Sequence, residues 1–449
     1  MINIVHKFLE NTNSNNIAIK TRNTEKSYKD FISDIKKVIN YLEINKIAKE
    51  SRALLLINMS YEMYVTIFAS ILYGLQVVII DNFKDKKRVT NQIIDSKIDY
   101  VFTNNVTGFI KNIFKPLRKI KKINVQKILK QKEVNININQ EIKKDRPCLI
   151  TFTSGGTGRP KPVIRTLNDL EQQMNLTLNV LGNITDEYIL ATLPVYSLAC
   201  LVNGLKIYIP FKKEDINKIL KKEKPNVMFS SISKYLEINS PTNSIRKAFF
   251  GGSILYYNEA LKIKKNMPNA NITYIYGATE ASIISKTTLD EYIKDLEENN
   301  LCLGNILSTN NVEIENDEIV VKKGIITNNY LNSQQNSFHP TKDLGYIKDN
   351  RIYITGRKIS DNIKSDYILE HIVKKEFPDI FEIACLKIND EYHIFLEQKD
   401  VDKRLNIVTI LQNHINNGII HIVKKLPLDY RHHKKVDYTK LLKEENIYV

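Results

Sequence analysis

Apolar positions along the chain follow two patterns that take turns. In KDFISDIKKVINYLEIN, Phe31, Ile35, Val38, Ile39 and Leu42 fall three and four residues apart, which predicts a helix with one buried face. ALLLIN at 53–58 is a continuous apolar run too short for a helix, and predicts a buried strand. MYVTIFASILYGLQVVII at 63–80 has the length of a marginal membrane span, but Gly74 and Gln76 interrupt it. It predicts a buried helix ending near Gly74, followed by a buried strand. VTNQIIDSKIDYVFTN predicts another helix feeding a strand, and residues 245–257 and 268–277 continue the alternation. Helices alternating with short apolar strands imply parallel sheets with helical crossovers.

The pattern changes near the C-terminus. YIKDNRIYITGR predicts a hairpin, YILEHIVKKEF a helix, and EIACLKINDEYHIFLE an antiparallel pair. The fold class is therefore α/β: a large N-terminal domain of parallel-rich sheets over residues 1–356, then a small α+β domain over 357–449. A length of 449 residues agrees, being too great for one compact core.

Composition narrows the class. Hydrophobic residues at 43% and a mean hydropathy of -0.28 fit a globular protein without a membrane span. MINIVHKFLENTN lacks the apolar core of an export signal, so a cytoplasmic location is expected. The net charge of +16 raises a nucleic-acid reading, but the lysines are scattered rather than gathered on one arm, so no nucleic-acid partner is expected. Cys148, Cys200, Cys302 and Cys385 follow no metal-ligand or disulfide spacing and read as reduced thiols.

One stretch carries chemistry on its face. CLITFTSGGTGRPKP predicts a strand running into a glycine-rich turn. Gly155, Gly156 and Gly158 let backbone N–H groups approach a ligand closely. Thr153, Ser154 and Thr157 add hydroxyl donors, and Lys161 adds a mobile positive charge. That donor set suits a polyphosphate. It is not a Walker A loop, because Pro160 precedes the lysine and no Ser or Thr follows it.

The loop resembles the phosphate loop of the adenylate-forming superfamily, which includes acyl-CoA synthetases and peptide-synthetase adenylation domains. Further stretches match in the same order: Gly251-Gly252, YGATE at 276–280, TKDLGY at 341–346, ITGRK at 354–358 and Lys435 within LPLDYRHHKKVDYTKL. The resemblance implies an AMP-forming acid-thiol ligase of two-domain architecture, the small domain being mobile. It would activate a small-molecule carboxylic acid with ATP and Mg²⁺, then transfer the acyl group to coenzyme A or to carrier-protein phosphopantetheine. It further implies that 153–161 holds the leaving phosphates, Glu280 the Mg²⁺ and Thr279 the α-phosphate. Tyr276 would lie on the adenine with Gly277 beside it, and Gly251 and Gly252 would flank adenine and carboxylate. Asp343 would accept from the ribose hydroxyls with Arg357 alongside. Lys435 would bridge the carboxylate and the α-phosphate, neutralising charge that builds in the transition state.

The chain departs from the family pattern at three places. Gly156 stands where Ser or Thr is usual, Ser197 in PVYS where His is common, and GRKISDNIK displaces the acidic hinge pair, leaving Asp361 as its nearest counterpart. The glycine-rich loop of the pantetheine channel is reduced to KSDYI. Adenylation is therefore better supported than thioester formation; the alternatives are a catalytically weakened or non-thioester-forming relative and a basic phosphate- or nucleic-acid-binding protein. LPVYSLACLVNGL offers no carboxylate to pair with an α-ammonium, so a fatty, hydroxy-fatty or aryl acid fits better than an amino acid, seated among Tyr196, Leu198, Cys200 and the FFGG turn.

Overall fold

The computed structural model describes residues 4–80, 83, 85–138, 142–152, 160–182, 184, 187–211, 214–325, 338–378, 382–397, 401–415, 418–429, 434–445 and 447, with the 401–405 side chains left aside. The predicted 153–159 loop, with Thr153, Ser154, Gly155, Gly156, Thr157 and Gly158, lies outside the described residues.

Within the N-terminal part, a six-stranded sheet runs in the order 121–124, 100–103, 52–56, 76–78, 147–152, 162–166, parallel apart from its last pair. The helix Tyr28–Ile44 presents Phe31, Ile35, Val38 and Leu42 to the core, as its spacing predicts. Ser27 and Asp30 close a capping box at its start. The apolar stretch at 63–80 divides at Gly74, which takes a left-handed φ of 118° and ends the helix Tyr61–Tyr73 before the strand Gln76–Val78. No helix among the described residues is long and apolar enough to cross a membrane.

In the second sheet, the strands Tyr188–Ala191, Val227–Phe229, Lys247–Gly251 and Asn271–Ala278 are parallel neighbours. Ser282–Thr288, Cys302–Ile306 and Arg351–Ser360 continue the sheet in antiparallel fashion. The strand Arg351–Ser360 changes partners along its length. Its start pairs with Cys302–Ile306, and from the hairpin turn Asp349-Asn350 as far as Arg357 it pairs with His339–Lys348. From Gly356 onward it also pairs with Ile363–Asp366, the first strand of the C-terminal unit.

That unit is a sheet, built on 363–366, 383–388, 391–396 and 418–422, with apolar residues on both faces. Ala384, Leu386 and Ile388 pack with Tyr438 and Leu441 of the helix Tyr438–Glu444. Ile383 and Cys385 pack on the opposite face with Leu369 and Val373 of the helix Tyr367–Glu376. Alternation along one strand thus feeds two cores. All four cysteines are free and buried, and burial pushes the Cys148 and Cys200 thiols up to about 12.

Candidate functional site

YGATE folds as a strand end and a tight turn. Tyr276, Gly277 and Ala278 close the strand Asn271–Ala278, Ala278 pairs with Ser282, and Thr279 and Glu280 occupy the connection. Ser282 takes a left-handed φ of 56° and turns the chain back. Gly251 ends the neighbouring parallel strand, so the two motifs arrive side by side at strand C-termini, where open α/β sheets hold ligands. The close approach demands the glycine, since a Cβ on Gly251 would stand 2.1 Å from the Ile275 carbonyl oxygen. Gly252 follows with φ 89°, a conformation side chains disfavour.

TKDLGY and TGRK meet the same place from the far side. Asp343 and Arg357 are register partners on adjacent strands. The Arg357 guanidinium donates to Asp343 Oδ1 at 2.6 Å and the Tyr276 hydroxyl donates to Asp343 Oδ2 at 2.9 Å. The Asp343 amide donates to the Thr341 hydroxyl at 3.1 Å. Asp343 holds the guanidinium above its ordinary pKa, and burial, with Asp343 beside it, pushes the Tyr276 phenol well up. At neutral pH the Tyr276 phenol is therefore neutral and the Arg357 guanidinium charged.

Lys342, which sequence reasoning missed, gathers positive charge beside this pair. Its φ of 64° is strained for a lysine, and its amide donates to Glu318 at 2.7 Å. Burial lowers its pKa, and the charges of Arg357 and Lys161 lower it further. Positive charge near strand C-termini suits a polyphosphate. The reading also missed Arg165, which donates to the Thr151 hydroxyl and to the Thr279 carbonyl at 2.6 Å each and so ties the glycine-loop strand to YGATE. His339 Nε2 lies 3.9 Å from Glu280 Oε2, and burial lowers its pKa. An isolated His or Arg carries no spacing signal that would have found either.

Among the described residues no cluster of three His, Cys, Asp or Glu could cage a metal ion. The single carboxylate of Glu280 fits Mg²⁺ shared with a nucleotide, because that ion is commonly held by one or two carboxylates plus phosphate oxygens.

Of the residues expected to seat the acid, Tyr196 stacks on Phe229 at 3.9 Å between centroids, and Phe229 stacks on Phe249 at 5.8 Å. Leu198 turns away, into a small apolar gap with Phe8 and Phe68, and Cys200 is wholly buried in the same core. The helix Pro194–Val202 places residues 196 and 198 about 200° apart, so only one of the two can face the sheet.

Lys435 accepts at its carbonyl from the Asp429 amide at 2.7 Å, beside a Leu428–Val436 bridge. His432 and His433 lie outside the described residues. The neighbouring Lys434 forms a contact that sequence reasoning did not see. It pairs with Glu259 of the helix Tyr257–Asn266 and lies 5.4 Å from the Tyr256 ring centroid. Tyr256 also donates to Glu370, and Lys374 lies 4.5 Å from the same ring. A doubled lysine near a terminus reads as solvated charge, so nothing in the sequence signals this dock.

Strand ends carrying Gly251, YGATE, Asp343 and Arg357 thus meet at one place in an α/β sheet, and Lys434 ties the C-terminal unit to the helix Tyr257–Asn266. Residues 6–325 match the family described as AMP-binding enzyme, and the chain belongs to that family. It is an AMP-forming ligase by class. It is 25% identical over 399 residues to the D-alanine--D-alanyl carrier protein ligase of Staphylococcus epidermidis, covering 80% of this chain and 78% of that protein. Among solved structures it resembles the o-succinylbenzoate CoA synthetase MenE of Bacillus subtilis, in complex with the acyl-adenylate intermediate, with a TM-score of 0.82, 18% identity and 98% of both chains covered. It also resembles ATP-bound MatB of Rhodopseudomonas palustris, with a TM-score of 0.82, 16% identity and 99% of both chains covered.

Proposed function

We propose that the protein joins a carboxylic acid lacking an α-ammonium group to AMP, and then passes the acyl group to a pantetheine thiol. The carrying observation is the Tyr276–Asp343–Arg357 cluster, with Lys342 next to Asp343 in sequence. Asp343 accepts from the ribose hydroxyls, Tyr276 lies on the adenine, and Gly251 and Gly252 expose backbone to the nucleotide and the acid. The acid's carboxylate oxygen attacks the α-phosphorus, and the bond to the β-phosphate breaks, releasing pyrophosphate. Thr279 faces the α-phosphate, Lys161 and the 153–158 loop hold the departing phosphates, and Lys435 neutralises charge developing between carboxylate and phosphate. Mg²⁺, held through Glu280, supplies further charge neutralisation. Residues 1–356 carry the nucleotide and acid, and 357–449 carry Lys435.

An acid that is apolar next to its carboxylate fits this reading, since Tyr196 stacks on Phe229 beside Phe249 and the helix Pro194–Val202 brings no carboxylate to pair with an amine. The similarity to a carrier protein ligase supports a carrier-bound pantetheine over free coenzyme A as acceptor. A second reading, adenylation without thioester formation, draws on one observation. The strand Ile363–Asp366 runs directly into the helix Tyr367–Glu376, with Asp366 accepting from the Leu369 amide at 2.9 Å, so no glycine-rich loop intervenes.

Hydroxamate trapping over a panel of free acids with ATP and Mg²⁺ tests the reading. Acid-dependent hydroxamate is expected from apolar acids and little from α-amino acids. No hydroxamate with any acid contradicts it.

A further inference from the structure

The strand Lys121–Asn124 forms an edge of the six-stranded sheet and runs parallel to its neighbour Tyr100–Thr103, so residues 104–120 must cross back over the sheet to join them. The crossover is a chain of helical turns. Asn104 starts it, its side chain accepting from the Val106 amide at 3.0 Å and the Thr107 amide at 2.7 Å. The Ile110 amide then donates to the Thr107 carbonyl at 3.0 Å and the Asn112 amide to the Phe109 carbonyl at 3.2 Å. Its inner side is fixed: Phe114 and Leu117 are buried with Val89 and Ile93, and Lys111 turns in to donate to the Arg118 carbonyl at 3.1 Å.

Its outer side is apolar, against the usual rule. Val106 and Phe109 lie three residues apart on a turn of about three residues and so project from one side. Phe109 is 80% and Val106 73% exposed, the highest values of any large apolar side chain among the described residues, and Ile113, 51% exposed, follows one turn later. An exposed apolar residue standing alone calls for no explanation, but three within eight positions on an anchored segment mark a surface that meets something.

Charge identifies what it meets. Between Asp99 and Glu133 the sequence holds nine cations and no carboxylate. Lys115, Arg118 and Lys119 are exposed, and Arg118 donates to the Asn112 carbonyl at 3.1 Å, which sets a guanidinium beside Ile113. Three carboxylates border the stretch, each on a donor: Asp99 accepts from the Arg52 amide, Glu133 from the Ser33 hydroxyl and Glu62 from the Gln126 side chain. Nine cations against three carboxylates leave a strong positive excess around the apolar tips.

We propose that this projection is a docking surface for an anionic lipid bilayer. Val106, Phe109 and Ile113 enter the headgroup region, and Lys115, Arg118 and Lys119 meet lipid phosphates. Apolar tips ringed by cations are the chemistry of a protein that lies on a membrane, which requires no spanning helix. A folded acidic partner is less well matched, because it would need roughly 800 Å² of complementary surface and finds separate projecting side chains instead. The inference is independent of which acid the protein activates.

The chain contains no tryptophan, so Phe109→Trp in the full-length protein places a sole fluorescent reporter on the projection. With vesicles of equal parts phosphatidylcholine and phosphatidylglycerol its emission should shift to the blue, and binding should be about tenfold or more tighter than to phosphatidylcholine alone. The same substitution at Leu261, an exposed position on the helix Tyr257–Asn266, should give no shift. In the Phe109→Trp background, Val106→Ser with Ile113→Ser should weaken vesicle binding by about tenfold. Lys115→Gln with Lys119→Gln should do so by about tenfold or more, whereas the charge-matched pair Lys221→Gln with Lys294→Gln should change it by about twofold at most. Absence of a shift at position 109, an equal shift at position 261, or equal weakening by the two lysine pairs overturns the proposal. A shift at position 109 with polyglutamate but not with vesicles also overturns it, and assigns the surface to an acidic protein.

Discussion

Arg357 and Asp343, fourteen residues apart in sequence, meet as register partners on antiparallel strands and form an ion pair of 2.6 Å between Nη1 and Oδ1. Tyr276 supplies the second donor to the same carboxylate at 2.9 Å. Asp343 is 9% exposed, so these donors, rather than bulk water, satisfy its carboxylate oxygens.

Arg357→Ala should destabilise the fold by about 2–3 kcal/mol, below the usual loss for a wholly buried pair because the guanidinium side chain is 27% exposed. Thermal unfolding measures this. Asp343→Asn keeps the shape and removes the charge, and should weaken ATP binding by about tenfold or more, read by calorimetry. Unchanged nucleotide affinity would show that Asp343 serves the strand pairing alone.

The Lys434–Glu259 pair joins the C-terminal unit to the helix Tyr257–Asn266. Burial opposes the Glu259 carboxylate, but Lys434 and Lys374 overcome it and hold its pKa below the ordinary range. Lys434→Met should cost about 3 kcal/mol by stranding that charge, and the added Glu259→Met should recover most of the loss. Additive losses in the double variant would remove the pair from the account.

Glu370 carries the opposite shift. Burial raises its pKa to about 7, against hydrogen bonds from Tyr256 and the Cys385 amide and the charge of Lys374. The fold therefore favours its protonated form. That contribution is complete below the ordinary value near 4.5 and is lost as pH rises through about 7, amounting to about 3 kcal/mol at most. Unfolding of wild type and Glu370→Gln, compared at about pH 5 and about pH 8, should show the difference in wild type and its loss in the variant. Equal pH dependence of the two proteins would reassign the titration.

A Cβ at position 251 would collide with the Ile275 carbonyl. Gly251→Ala should therefore force the strands apart at the candidate site, costing about 1–3 kcal/mol and lowering acid-dependent turnover together. Loss of turnover at unchanged stability would point to a steric role toward the ligand alone.

The sequence revealed the parallel alternation, the break at Gly74 and the C-terminal hairpins because each rests on local periodicity or turn chemistry. The Asp349-Asn350 turn, with φ of 50° and 60°, is such a case. YGATE and TKDLGY were legible as motifs, yet the hydrogen bond between Tyr276 and Asp343 spans 67 positions and needed the sheet to be seen. Lys342, Arg165 and Lys434 were illegible for a different reason. A single cation in a lysine-rich chain has no neighbours in sequence to distinguish it, and only packing decides which one is drawn inward. The expected seat at Leu198 and Cys200 is taken up by the core: Leu198 lies on the helix face away from Tyr196, and Cys200, on the same face as Tyr196, is buried.

Pyrophosphate release from ATP by wild type and Lys435→Ala, with and without an accepted acid, tests the central claim most directly. Acid-dependent release in the wild type should nearly vanish in the variant while ATP binding persists. Release that is equal in both proteins, or independent of acid in the wild type, would contradict it.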